Sequence, residues 1–126
     1  MNQSIRAWWP VVAWVALIGL ATSVPLPGAA WARSDLPMDK IVHFTLYFGL
    51  GWFGGRALWW SERWTVGAIL VYFVAALALA GLDEWHQAWI PLREPSVADW
   101  LADASGLSLG LALYIGLRWR LHRRTS

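Results

Sequence analysis

Four long apolar runs, separated by short polar segments, constrain the fold of this chain more than any other feature. They cover residues 8–24, 38–60, 64–82 and 97–117. Each is close to the roughly 20 residues that an α-helix needs to cross about 30 Å of hydrocarbon. The runs are continuous and do not alternate, which argues against strands, and a helix satisfies its own backbone polar groups in a bilayer. We predict an all-α membrane protein, with four transmembrane helices in an antiparallel bundle that forms one domain over residues 1–126.

The composition favours a membrane domain over a soluble one. Hydrophobic residues make up 58% of the chain and charged residues 14%, well below the roughly one quarter that is usual in soluble domains. Many of the twelve tryptophans stand at the ends of the apolar runs, which is typical of rings at membrane interfaces. The net charge of +2 is too small to indicate nucleic acid, and the absence of cysteine excludes disulfide and thiolate chemistry. Membrane lipid is the expected partner.

Lysine and arginine predict the orientation, because cytoplasmic segments carry an excess of them. With the N-terminus inside, three basic residues fall outside (Arg33, Lys40 and Arg93) and seven fall inside (Arg6, Arg56, Arg63, Arg118, Arg120, Arg123 and Arg124). We therefore predict a multi-pass protein of the cytoplasmic (inner) membrane with both termini in the cytoplasm. The first run has an alternative reading as a signal peptide cleaved at Ala30-Trp31-Ala32, but we favour an uncleaved helix.

The acidic residues are even more one-sided, although acids do not set topology. Only Glu62 falls inside, and the other seven fall outside: Asp35, Asp39, Asp83, Glu84, Glu94, Asp99 and Asp103. Asp103 stands one turn inside the fourth run, about 6 Å beyond Asp99 along the helix axis. A carboxylate at that depth is disfavoured and needs a partner. We therefore predict a functional site at the outer ends of the helices.

The polar residues at the outer helix ends fall into register. Asp39, His43 and Tyr47 share one face of the second helix, as Asp99 and Asp103 do on the fourth. Glu84 or Asp83 pairs with Gln87 where the third helix leaves the membrane, Arg93 supplies a cation in the following connection, Lys40 is an interface anchor, and His86 points to a different face. Simpler readings stay open, because an Asp at position 39 or 99 also suits a helix N-terminus and a lone interfacial histidine is common.

Two glycine spacings predict close packing between helices. Gly51 and Gly55 lie four residues apart in the second run, and Gly106 and Gly110 do so in the fourth. Small residues at this spacing let two helix backbones approach each other in a membrane. We expect them to pack the bundle and to hold the polar helix ends together.

Three motifs together resemble the VanZ-like family of membrane proteins. Asp39-Lys40-Ile41-Val42-His43-Phe44 resembles the family's D-K-x-x-H-F, and Glu84-Trp85-His86-Gln87 resembles its E-x-x-Q. Arg93, followed by Asp99-x-x-x-Asp103-x-x-Gly106, resembles R…D-x-x-x-[ND]-x-x-G, with Asp103 where the family often has Asn. The resemblance covers residues 37–112. It implies a four-helix bacterial membrane protein of the cell envelope, and a link to low-level resistance to the glycopeptide teicoplanin. The resemblance therefore implies a cellular process but does not specify a chemical reaction.

Three functions remain open at this point. In the first, the site is enzyme-like and acts on an envelope or lipid-linked substrate, with His43, Glu84 and Asp103 as the catalytic candidates. Supporting or substrate-binding roles fall to Asp39, Lys40, Tyr47, Gln87, Arg93 and Asp99. A metal variant would use His43, Glu84 and Asp99 as ligands, and no other cofactor is indicated. In the second, the same pocket binds or transports an envelope or glycopeptide-related ligand, which would require a homo-oligomer. In the third, the polar cluster only ties the helix ends together.

Overall fold

The computed structural model describes residues 2–25 and 37–125. It consists of four α-helices, α1 (Gln3–Ser23), α2 (Met38–Trp60), α3 (Val66–Gln87) and α4 (Val97–Thr125), and the described residues contain no strand. The prediction of an all-α, four-helix fold is confirmed. The candidate cleavage site at Ala30-Trp31-Ala32 lies outside the described residues.

The helices extend beyond the apolar runs at several ends. α1 begins five residues before the first run, α3 continues five residues past the third run, and α4 continues eight residues past the fourth. Side-chain caps explain two of the starts, since Asn2 accepts from the Ser4 amide and Thr65 accepts from the Ala68 amide. The extension of α3 is the one that affects the site, because it makes Asp83, Glu84 and Gln87 helical and fixes their spacing.

Three of the four helices are long and apolar enough to cross a membrane: α1, α3 and α4. α2 has the length, at 23 residues, but four glycines and several charged residues lower its hydropathy. Its position explains this composition. α2 packs against all three other helices and exposes few large apolar side chains, whereas the other three present many of theirs on the outer surface of the bundle. A central helix needs less apolar surface than one that faces lipid.

The glycines of α2 and α4 bring these two helices into backbone contact. A Cβ atom on Gly106 would overlap the Phe44 carbonyl oxygen and lie 2.9 Å from the Phe48 nitrogen. A Cβ on Gly51 would likewise overlap the Leu107 carbonyl oxygen. Gly110 meets the α2 backbone in the same way, and Gly55 packs on the Tyr114 ring. The predicted role of the glycine spacings is thus seen in the contacts, and this approach fixes α2 and α4 in register.

α1 and α3 pack on other faces of α2 through aromatic side chains that also donate hydrogen bonds. The Trp14 indole N–H donates to the Leu46 carbonyl at 2.7 Å, and the Tyr72 hydroxyl donates to the Leu50 carbonyl at 2.7 Å. These partners are α2 backbone carbonyls beside glycines, which leave room for large rings. α1 is therefore an integral part of the core.

Contacts at the two ends show that helices consecutive in the chain run antiparallel, so that α2 and α4 run parallel to each other. At one end, the Gln3 amide donates to the Trp60 carbonyl, so that α1 starts where α2 finishes. At the other end, Lys40 contacts Asp99, so that α2 starts where α4 starts. We call the end that contains Asp39, Asp83, Glu84, Asp99 and Asp103 the acidic end, and the opposite end, with Arg6, Arg56 and Arg118, the basic end.

Candidate functional site

The acidic end of the bundle buries a set of polar side chains from all four helices. The C-terminal turns of α1 and α3, the N-terminal turns of α2 and α4, and the connection between α3 and α4 meet there. Seven polar or charged residues in this region are at most 8% exposed: Thr22, His43, Asp83, Glu84, Gln87, Asp99 and Asp103. Together with Asp39, Lys40, Arg93 and Ser96 they form what we call the acidic-end cluster. Such burial is costly unless the groups satisfy one another.

His43 lies at the centre of the cluster. Its Nδ1 atom is 2.9 Å from Asp103 Oδ1 and 3.5 Å from Glu84 Oε1, and its Nε2 atom is 3.8 Å from Asp39 Oδ1. The side chain is 2% exposed, and Asp103 is fully buried. α2 provides His43, α3 provides Glu84 and α4 provides Asp103, so the imidazole joins three helices. One buried imidazole thus faces three carboxylates.

Some buried polar atoms of the cluster have no hydrogen-bond partner among the described residues. They are Asp39 Oδ1, His43 Nε2, Tyr47 Oη and Asp103 Oδ2. Tyr47 lies one turn below His43 on the same face of α2, and the carboxylates of Asp83, Glu84 and Asp103 are its electrostatic neighbours. Buried polar atoms are normally paired. The unpaired atoms here are concentrated around the imidazole.

Lys40 and Ser96 hold Asp99 at the rim of the cluster. Lys40 Nζ is 3.0 Å from Asp99 Oδ1, and the Ser96 hydroxyl donates to Asp99 Oδ2 at 2.6 Å. Ser96 also caps α4, because its hydroxyl oxygen accepts from the Asp99 amide at 3.1 Å. The Ser96 amide donates to Glu84 Oε2 at 3.1 Å. The start of α4 is thereby fixed to the end of α3, and Asp99 is fully engaged.

Arg93 lies in the segment between α3 and α4 and joins this segment to the end of α1. Its guanidinium donates to the carbonyls of Ala21 and Val24 and to Gln87 Oε1, each at 3.1 Å, and lies 3.8 Å from Asp39 Oδ1. The last carbonyls of a helix have no partner within the helix, and a cation there is favourable. Arg93 therefore acts as a C-terminal cap for α1 supplied from a distant part of the chain.

Asp83 and Gln87 complete the cluster on the α1 side. The Thr22 hydroxyl donates to Asp83 Oδ1 at 2.6 Å, and Gln87 Nε2 is 3.4 Å from Asp83 Oδ2 and 3.5 Å from Glu84 Oε1. The Gln87 side-chain oxygen, Oε1, accepts a hydrogen bond from Arg93. Gln87 thus links the Arg93 guanidinium to two carboxylates of α3.

The structure brings together the residues that the sequence pointed to, while their roles stay predictions. His43, Glu84 and Asp103 are in mutual contact, and Asp39, Gln87, Arg93 and the Lys40–Asp99 pair surround them. His86 is exposed on another face of α3, as expected. Thr22 and Ser96 were not singled out from the sequence. Ser96 had a readable signal, the Ser-x-x-Asp spacing of a helix start, but Thr22 had none beyond being polar in an apolar helix.

Two groups of possible metal ligands share His43. One contains His43, Glu84 and Asp103, and the other contains Asp39, His43 and Asp99, with ligand atoms within 4.8 Å of one another in each. The three ligand candidates from the sequence, His43, Glu84 and Asp99, are thus divided between two groups. Asp99 is already engaged by Lys40 and Ser96, so the first group is better suited to an ion.

The charges of the cluster do not balance among its own residues. Five carboxylates (Asp39, Asp83, Glu84, Asp99 and Asp103) face Lys40, Arg93 and an imidazole that carries at most one charge. The surplus of acid must be met by bound protons, a cation or a cationic group of a ligand. The arrangement is chemically compatible with proton transfer and with cation binding.

The comparison with known families agrees with the motifs. A family model described as VanZ/LLP1 matches residues 2–119, which include α1 to α3 and most of α4. The comparison with curated proteins and the comparison with solved structures each gave no match. The matched span contains every residue of the acidic-end cluster and the three helices that are apolar enough to cross a membrane. The chain therefore belongs to the VanZ/LLP1 family, as a four-helix membrane protein.

Proposed function

We propose that this protein lies in the bacterial inner membrane with both termini in the cytoplasm and its acidic end facing outward. There it acts on an envelope or lipid-linked substrate, in a process that affects tolerance to glycopeptides such as teicoplanin. The observation that carries the proposal is the geometry of His43. Asp103 contacts Nδ1 at 2.9 Å, while Nε2 is buried and has no hydrogen-bond partner among residues 2–25 and 37–125.

This geometry suits general acid–base catalysis. A carboxylate at Nδ1 favours the tautomer with the proton on that atom, so that Nε2 is available to accept and return a proton. The same carboxylate stabilises the imidazolium form that results when Nε2 accepts a proton. A hydrogen-bonded carboxylate plays this part for histidine in hydrolases of unrelated folds. Glu84, 3.5 Å from Nδ1, adds a second negative charge. Asp103 and Glu84 are then positioning residues, and His43 is the group that exchanges a proton with the substrate.

A groove beside the cluster favours a lipid-linked substrate. It lies between α2 and α4, has a volume of about 370 Å³, and is lined mostly by apolar side chains such as Phe44, Leu101 and Ala102. Lys40 stands at its polar end and also belongs to the cluster, through Asp99. The Lys40 side chain is 44% exposed, so it is the cation of the cluster that a substrate reaches. An acyl chain in the groove would place an anionic headgroup near Lys40.

Conservative substitutions test the proposal. His43→Asn and Glu84→Gln preserve size, and each should lower the teicoplanin concentration that cells tolerate to that of cells without the protein. Membrane abundance, measured on the same cultures, should stay close to wild type. His86→Asn and Glu94→Gln are the matched controls, because both residues are exposed outside the cluster, and both variants should retain tolerance.

The same series separates the other functions. If the cluster only ties the helix ends together, abundance or the detergent melting temperature will fall in proportion to tolerance. If the protein is a binding or transport module without chemistry, a homo-oligomer should bind or take up the ligand in a saturable way that depends on His43. The ligand should then be recovered chemically unchanged. Full tolerance in His43→Asn at normal abundance would overturn the acid–base role.

A divalent cation at the same site is a second candidate, and the mutual distances of His43, Glu84 and Asp103 favour it. One imidazole and two carboxylates leave open coordination positions for water, as in catalytic metal sites. Metal analysis of the purified protein tests it. A stoichiometric divalent ion that is lost in His43→Asn and retained in His86→Asn would support the metal site. A metal-free preparation that supports the function would exclude it.

A further inference from the structure

A second polar cavity lies at the basic end of the bundle, opposite the acidic-end cluster. It is formed where α1 begins and α2 ends, has a volume of about 410 Å³, and is lined by Gln3, Arg6, Ala7, Arg56 and Trp60. The motifs of the family resemblance do not include these residues, and the function proposed above does not use them. The cavity therefore needs its own explanation.

The cavity contains two guanidinium groups and no carboxylate. Within residues 2–25 and 37–125, neither Arg6 nor Arg56 takes part in an ion pair. Arg56 donates to the Ala7 carbonyl at a long 3.4 Å and lies 5.9 Å from the centre of the Trp60 ring. Most of its N–H donors thus have no partner in the part of the chain that the structure describes. Two like charges are held beside one cavity without a counter-charge, which favours an anion between them.

The folded positions of the two arginines are not explained by topology alone. The positive-inside rule requires an excess of basic residues on one side of the membrane, but it does not require that they come together at one place. Here Arg6 comes from α1 and Arg56 from α2, fifty residues apart, and the Gln3–Trp60 hydrogen bond at 3.2 Å fixes the two helix ends together. Both guanidinium groups therefore line one cavity, as a site for a single ligand requires.

We propose that this cavity binds a phosphate-bearing anion, and that its usual occupant is the headgroup of an anionic membrane lipid. Guanidinium groups match phosphate oxygens in geometry and charge. Basic pockets between helices on the cytoplasmic side of a membrane are suited to anionic headgroups, and the Trp60 ring beside the cavity is a residue type that prefers the membrane interface. Free inorganic phosphate shares the same chemistry and is the alternative source.

The test uses the full-length protein in detergent with added lipid. Phosphatidylglycerol should raise the melting temperature, and native mass spectrometry should show about one retained phosphatidylglycerol per chain, while phosphatidylcholine does neither. Arg6→Gln with Arg56→Gln should weaken phosphatidylglycerol binding by about tenfold or more. The matched control is Arg63→Gln with Arg124→Gln, which removes the same charge from exposed positions outside the cavity and should bind as wild type.

Further measurements make every outcome informative. If inorganic phosphate raises the melting temperature as much as the lipid does, and the cavity variant abolishes both effects, the cavity is an anion site. Its occupant is then soluble phosphate. Hydrogen exchange on the wild-type protein provides a readout that does not depend on folding of the variant. Lipid should slow exchange at the start of α1 and the end of α2. Equal binding by the cavity variant, or protection only elsewhere in the chain, would overturn the proposal.

Discussion

The two ends of the bundle use charge in opposite ways. At the acidic end most of the charged groups are buried, come from α2, α3, α4 and the connection before α4, and contact one another, with His43 at the centre of the network. At the basic end the arginines are exposed or half-buried, and some of them lie over aromatic rings, as Arg118 does 5.1 Å from the centre of the Trp59 ring. Buried charges demand specific partners, whereas exposed ones tolerate change. Function that depends on exact geometry is therefore expected at the acidic end.

The largest effect should come from a change that disturbs both ends at once. Gly106→Leu would place side-chain atoms where α4 touches the Phe44 carbonyl, forcing α2 and α4 apart. We expect a loss of more than about 3 kcal/mol in stability, at or above the upper end for overpacking. The melting temperature in detergent and the abundance in membranes measure it.

Gly116→Leu is the control for that prediction. It lies on the same helix, and no described atom stands within 4 Å of the position that its Cβ would occupy. The substitution should leave stability unchanged or raise it slightly, because leucine favours a helix more than glycine does. Equal losses in the two variants would show that the close approach of α2 and α4 is not what holds the bundle.

Replacing one arginine at each end tests the comparison directly. Arg93→Met removes donors from two α1 carbonyls and from Gln87 and leaves these groups unpaired, which should cost about 2–3 kcal/mol. Arg118→Met removes ring contacts and a hydrogen bond to the Tyr114 hydroxyl, which should cost about 1 kcal/mol or less. Thermal unfolding of both variants in one detergent measures the difference. Similar losses would remove the contrast between the two ends.

A smaller effect should come from a single hydroxyl of the acidic end. Thr22→Val keeps the shape of the side chain but removes the donor to Asp83 Oδ1, and we expect a cost of about 1–2 kcal/mol. Thr45→Val is the matched control, because Thr45 donates only to the carbonyl four residues earlier and is exposed. Its melting temperature should match wild type. A Thr22→Val variant as stable as Thr45→Val would mean that Asp83 does not need this donor.

Part of the candidate site could be predicted from the spacing of its residues along the sequence. The separation of four residues between Asp39 and His43, and between Asp99 and Asp103, places each pair on one helix face whatever the rest of the chain does. The Glu84–Gln87 spacing depends on α3 continuing beyond its apolar run, which the pattern of hydrophobic residues does not require. Contacts between the helices, such as that of His43 with Asp103, depend on register and are not encoded in any local pattern.

The sequence by itself determined the four helices, the glycine spacings that allow close helix packing and the grouping of acids at one end, because length, hydropathy and spacing are local properties. Only the tertiary structure decided that α2 is central, that Arg93 caps α1, and that the Asp103 carboxylate and not Asp39 holds Nδ1 of His43. Those outcomes depend on how helices distant in sequence are rotated and shifted against one another. The cavity between Arg6 and Arg56 arises in the same way, from two helix ends that no sequence pattern connects.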